Sequence, residues 1–88
     1  MKKNNYESRV AASLNQCDAT LTYFFFDKKF FGNMIAEIND KKGNSHVFIL
    51  DRGTVTIDSK FLNQLENNNI DDFIKCIIDY LMNNNLWE

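Results

Sequence analysis

The sequence predicts a small α+β domain. It is a four-stranded antiparallel β-meander with an N-terminal helix and two C-terminal helices, in the order α-β-β-β-β-α-α. Three observations carry this expectation. Between residues 20 and 58, runs of Thr, Val, Ile and Phe alternate with short polar turns, the pattern of strands and hairpins. Ile70, Phe73, Ile74, Ile77, Ile78 and Leu81 recur at helical spacing and form one apolar stripe. All the links between strands are short, which permits only antiparallel neighbours.

The first helix is expected over residues 5–16. Tyr6, Val10, Leu14 and Cys17 lie on one stripe, and Asn5 stands where an N-cap belongs. Residues 20–26, TLTYFFF, read as the first strand, and Asp27-Lys28-Lys29 as the turn after it. Residues 30–39 read as the second strand, with Gly32 marking a bulge or a close backbone approach. Gly43 and Asn44 supply left-handed conformations to the loop at 40–44. Residues 46–51 are apolar at nearly every position, as a central strand is. Asp51-Arg52-Gly53 makes the next tight turn, and Val55 and Ile57 alternate along a fourth strand at 54–58.

Asp58 or Ser59 then caps a short helix, with Phe61, Leu62 and Leu65 as its apolar side. The Asn triplet at 67–69 ends it. Asn69 caps the last helix, whose first turn carries Asp71 and Asp72 at the favourable end of the dipole. A second Asn triplet at 83–85 is expected to end that helix, with Trp87 packing on the core beyond it. Both C-terminal helices cover one face of the sheet.

Strand side chains alternate faces. Leu21, Tyr23 and Phe25 are apolar throughout and are assigned to the covered face. Phe24 and Phe26 then share the other face with Thr20 and Thr22. A two-residue turn at Lys28-Lys29 pairs Phe26 with Phe31. A three-residue turn at Asp27–Lys29 pairs Phe26 with Phe30 and swaps the faces of strand two. An exposed Phe forgoes roughly 1.5–3 kcal/mol of burial, so Phe24 and Phe26 require a cover. Either the N-terminal helix or another molecule supplies it.

At 88 residues the chain is expected to form one domain. Its formal charge of −2 excludes a global basic field for nucleic acid. The Lys pairs at 2–3, 28–29 and 41–42 are short and scattered. Asn, Lys, Ile, Phe and Tyr make up 40 of the 88 residues, which points to AT-rich coding, as in a low-GC bacterium, a phage or a mobile element. Cys17 and Cys76 form no CxxC pair, and the basic start has no apolar run behind it. A cytoplasmic chain with reduced thiols is expected, a secreted chain with one disulfide being the alternative. No apolar run is long enough for a membrane span.

No chemistry-bearing motif emerges. Gly32, Gly43 and Gly53 are too dispersed for a phosphate loop, and no His, Cys or acidic spacing matches a metal site. Neither a catalytic set nor a cofactor is expected. His46, at the start of a strand, reads as an ordinary surface residue. The expected function is therefore non-enzymatic protein binding, by a small acidic inhibitor or immunity-type protein that blocks its target stoichiometrically. The target could be a nucleic-acid-binding protein whose basic site the acidic chain occupies, and a homodimer is the other form of partner. The candidate contact residues are Phe24, Phe26, Asp27, Lys28, Lys29, Phe31, Asp51 and Arg52. The alternative is a nucleic-acid-binding accessory protein that stacks bases on the aromatic rings beside Lys28 and Lys29.

Overall fold

The computed structural model describes residues 5–86, with side chains as far as Asn83. Helix α1 spans Tyr6–Leu14 and tightens into a 3₁₀ turn at Asn15–Cys17. Five strands follow: β1 (Thr20–Asp27), β2 (Asn33–Asn39), β3 (Ser45–Asp51), β4 (Thr54–Ile57) and β5 (Lys60–Gln64). Helix α2 spans Ile70–Leu86. The strands form one antiparallel meander in chain order, with β1 and β5 at its edges. Trp87 and the lysines at 2–3 lie outside the described residues.

The α+β class and the N-terminal helix are as expected, but Asn5 makes no side-chain cap hydrogen bond, β2 begins at Asn33 instead of residue 30, and the count differs from four strands and two C-terminal helices. Residues 60–64 are a strand. Asp58 and Ser59 both take positive φ, 51° and 71°, the backbone of a two-residue hairpin turn. Ile57 therefore pairs with Lys60, and Thr56 with Phe61. A short apolar run such as Phe61-Leu62 fits helix and strand equally well, and the left-handed turn selects the strand. At the other end of the chain, α2 runs through the second Asn triplet to Leu86. Asn lowers helix propensity only by about 0.7 kcal/mol per residue, too little to end a helix already anchored by its apolar stripe.

The first hairpin takes neither expected register. Phe26 pairs with Met34 and Asp27 with Asn33, so Phe30 and Phe31 belong to the link and not to β2. Asp27 builds that link. Its carboxylate accepts the Lys29 N–H at 3.1 Å, and its carbonyl accepts the N–H groups of Phe30 (3.2 Å) and Gly32 (3.1 Å).

The face assignment of β1 holds for Leu21 and is reversed from Tyr23 to Phe26. A bulge between Leu21 and Tyr23 leaves Thr22 unpaired in the ladder, its hydroxyl donating to the Glu37 carbonyl at 3.0 Å. The bulge breaks the alternation. Leu21, Phe24 and Phe26 stand opposite Ile38, Ala36 and Met34, all buried on the helix side. Tyr23 and Phe25 stand opposite Glu37 and Ile35 on the open face, 48% and 43% exposed. The cover over Phe24 and Phe26 is this chain's own first helix. The Tyr6 ring meets Phe26 edge-on, with centroids 5.1 Å apart.

The core lies between this covered face and the two helices. Val10, Leu14 and Cys17 enter it from α1 and its 3₁₀ turn. Phe48, Leu50, Val55 and Ile57 enter it from the sheet, and Ile70, Phe73, Ile77 and Leu81 from α2. Those helix residues are the buried members of the expected stripes, and Tyr6, Ile74 and Ile78 pack half-buried against them. Asn69 caps α2 by accepting the Asp72 N–H at 3.1 Å. Arg9 of α1 pairs with Asp71 in the first turn of α2. Cys17 and Cys76 are free thiols. No helix among the described residues is long and apolar enough to cross a membrane.

The face assignment is testable by stability. Phe24→Ser together with Phe26→Ser should lower the unfolding free energy by about 3 kcal/mol or more. Tyr23→Ser together with Phe25→Ser should change it by less than about 1 kcal/mol. Urea titrations of both double variants give the comparison.

Candidate functional site

In a meander, alternate links fall at the same end of the sheet. The β1–β2 link, the β3–β4 turn and the β5–α2 link therefore meet at one end. They bring together Asp27, Lys28, Lys29, Phe31, Asp51 and Arg52, six of the residues singled out in the sequence, and add Phe30. Phe24 and Phe26 do not join them, because they point into the helix-covered side.

A network of asparagine side chains holds this tip. Asn68, in the β5–α2 link, donates to the Phe31 carbonyl and to Asn33 Oδ1, both at 2.8 Å. Its own Oδ1 accepts the Gly53 N–H at 2.6 Å. Asn33 Oδ1 also accepts the Arg52 N–H at 3.0 Å, and its Nδ2 donates to Asp51 at 3.0 Å. Gly53 is buried with φ of +86°, and a Cβ there would stand 2.6 Å from the Leu65 carbonyl oxygen. Only glycine fits at that position. The network locks three links that are distant in sequence into one rigid piece.

That rigidity supports an unusual conformation. Phe31 has φ of +60°, an outlier for a bulky side chain with a cost of about 1–3 kcal/mol. Its ring is 72% exposed, and its neighbour Phe30 is 60% exposed. The Arg52 guanidinium lies 5.9 Å from the Phe31 ring centroid and donates to Asp51 at 3.3 Å. Lys28 and Lys29 are also exposed. Lys28, Lys29 and Arg52 thus stand among three carboxylates, Asp27, Asp51 and Glu66 of the β5–α2 link.

The tip continues into the open face of the sheet. A shallow depression lined by Phe25, Asp27, Asn33, Ile35, Ile49 and Asp51 adjoins a second one lined by Ile49, Asp51, Arg52, Thr54 and Thr56. Ile49 and Asp51 belong to both, so one surface runs from the tip across the sheet.

Among the described residues, no group of three or more His, Cys, Asp or Glu side chains is placed to hold a metal ion. His46 lies at the opposite end of the sheet and is not the ordinary surface residue expected. It is largely buried between Asp40 and Asp58. Sequence reasoning missed Asn33 and Asn68. Asn68 stood out only as part of a helix-breaking triplet, and its partners are 15 to 37 residues away. No family model, curated protein or solved structure significantly matches this chain.

Two substitutions probe the tip. Asn68→Ala strips partners from the Gly53 N–H and the Phe31 carbonyl and should cost about 2 kcal/mol. Phe31→Asn relieves the left-handed strain, since Asn tolerates that region, and should raise stability by about 0.5–1 kcal/mol. Thermal melts of the two variants should therefore move in opposite directions.

Proposed function

We propose that the chain is a non-enzymatic protein-binding module, an inhibitor or immunity-type protein that acts by stoichiometric occupation of its target. The observation that carries this reading is Phe31. A bulky ring is held out in water, in a conformation that opposes stability, by a network that spans three links. Strained backbone of this kind gathers at functional positions, and rigid exposed aromatics anchor protein interfaces. Phe30 beside it, and Phe25 with Tyr23 on the adjoining open face, extend the apolar area.

The charge around the rings narrows the target. Lys28, Lys29 and Arg52 complement carboxylates, so the fitting surface is an apolar pocket with an acidic rim. This locates the attraction at the tip instead of in the chain's overall acidity. Nucleic acid is the second reading, because the same rings and cations could stack and neutralise a single strand.

The experiment compares the wild-type chain with a Phe30→Ser/Phe31→Asn variant as bait in lysate of the source cells, read by mass spectrometry. The wild type should retain a partner at stoichiometric yield. The variant should lose it with an undiminished melting temperature. Equal retention by both removes the tip from the interface. Binding of a labelled single-stranded oligonucleotide that weakens steeply with salt would favour the second reading.

A further inference from the structure

At the end opposite the tip, the β2–β3 and β4–β5 links close around His46, the chain's one histidine. Its Nε2 lies 3.0 Å from Asp40 Oδ2, and its Nδ1 lies 3.1 Å from Asp58 Oδ2. Each carboxylate is fixed through its other oxygen. Asp40 Oδ1 accepts the N–H groups of Lys42 and Asn44, both at 2.9 Å. Asp58 Oδ1 accepts the Val47 N–H at 2.9 Å, while the Asp58 N–H donates to the Val47 carbonyl at 2.9 Å. The Tyr80 ring of α2 meets the imidazole edge-on, with centroids 6.0 Å apart, and Phe48 lies at 6.5 Å. The titratable groups facing His46 are thus Asp40, Asp58 and Tyr80, and Lys60 acts on Asp58.

We propose that Asp40, His46 and Asp58 form a proton-operated latch that holds the β4–β5 turn, and with it the edge strand β5, against β3. An ionised carboxylate only accepts hydrogen bonds. Both contacts are satisfied together only when both ring nitrogens carry protons. Losing one proton turns a nitrogen lone pair toward a carboxylate, and one contact must open.

Asp58 is the contact that opens. Its side chain is 44% exposed against 14% for Asp40, so water readily takes the place of the imidazole. It also stands in a turn with two non-glycine residues at positive φ, whose strain the latch offsets. Among the described residues, β4 is the one strand neighbour of β5, so a loosened turn leaves it attached on one side only.

The titration behaviour follows the geometry. Burial by itself disfavours the charged ring, but the hydrogen bonds and charges of Asp40 and Asp58 outweigh it, and the His46 pKa lies above its ordinary value. Burial alone would raise Asp40. Its bond to His46 and the two N–H groups hold it below the usual carboxylate value instead. Burial would likewise raise Asp58, and the Val47 N–H and His46 hold it down. The histidine's contribution to stability is therefore complete below about 6.5 and lost as pH rises through its raised value. The carboxylates' contribution is present above about 4 and lost as pH falls through their lowered values. Between these limits the latch is closed.

The single histidine makes the test direct. A pH titration followed by NMR reads the His46 ring protons and the backbone amides together. The ring midpoint should lie above about 6.5 and should fall in both Asp58→Asn and Asp40→Asn. Asparagine tolerates the left-handed backbone at position 58, so that variant keeps its turn. The amides of Ser59, Lys60 and Phe61 should shift with the ring's midpoint, and those of Lys42 and Asn44 should shift less. His46→Gln should abolish the transition in β5. A wild-type midpoint at or below about 6.5, β5 amides that ignore the ring, or an unchanged β5 transition in His46→Gln would overturn the latch.

Discussion

One-sided burial is the constraint on which this structure depends. Two helices are enough to cover one face of a five-stranded sheet, and they cover it with Val10, Leu14, Phe73, Ile77 and Leu81. Each strand then turns one set of apolar residues to that side and leaves the alternate residues on the open face. Phe48 and Leu50 of the central strand are fully buried, and their neighbours Val47 and Ile49 are only half-covered. Edge strand β1 meets the same demand by breaking register. The bulge at Thr22 brings Leu21 onto the side of Phe24 and Phe26. In β5, alternation by itself puts Leu62 against the core and leaves Phe61, opposite Thr56, outside.

The meander also divides the molecule's polar work between two ends. At one end, asparagine side chains join three links, and neutral hydrogen bonds of fixed geometry hold an aromatic and cationic tip. At the other end, the joint is ionic, with one imidazole between two carboxylates. The first joint is built on amide side chains, whereas the second turns on an imidazole, the side chain suited to a proton switch. The proposed binding tip and the proposed proton-operated latch lie at opposite ends of the sheet, with the buried core of β3 between them.

Much of this was legible along the chain. The stripe from Ile70 to Leu81 and the shorter one from Tyr6 to Cys17 name the buried helix faces, because helical spacing alone puts those residues together. The turn at Arg52-Gly53 follows from glycine's freedom at positive φ. What was not legible lies where a local pattern has two solutions. TLTYFFF is apolar on both faces, so alternation cannot say which face is inside, and a single bulge reverses the answer. KFLNQLE reads as a helix until the backbone at Asp58 and Ser59 turns left-handed. At the tip, the cations and Phe31 could be singled out, but Asn33 and Asn68 could not, since nothing local marks an asparagine as a bridge between links.

The sequence by itself determined the α+β class, the antiparallel order of the strands, the two helix stripes and the absence of any recognisable motif. These depend on periodicity and on link length, which are properties of neighbouring residues. Only the tertiary structure decided which phenylalanines are core, that a fifth strand exists, and that His46 sits between Asp40 and Asp58. Those outcomes depend on contacts between residues far apart in the chain, where burial against a helix or a carboxylate across a turn outweighs local preference.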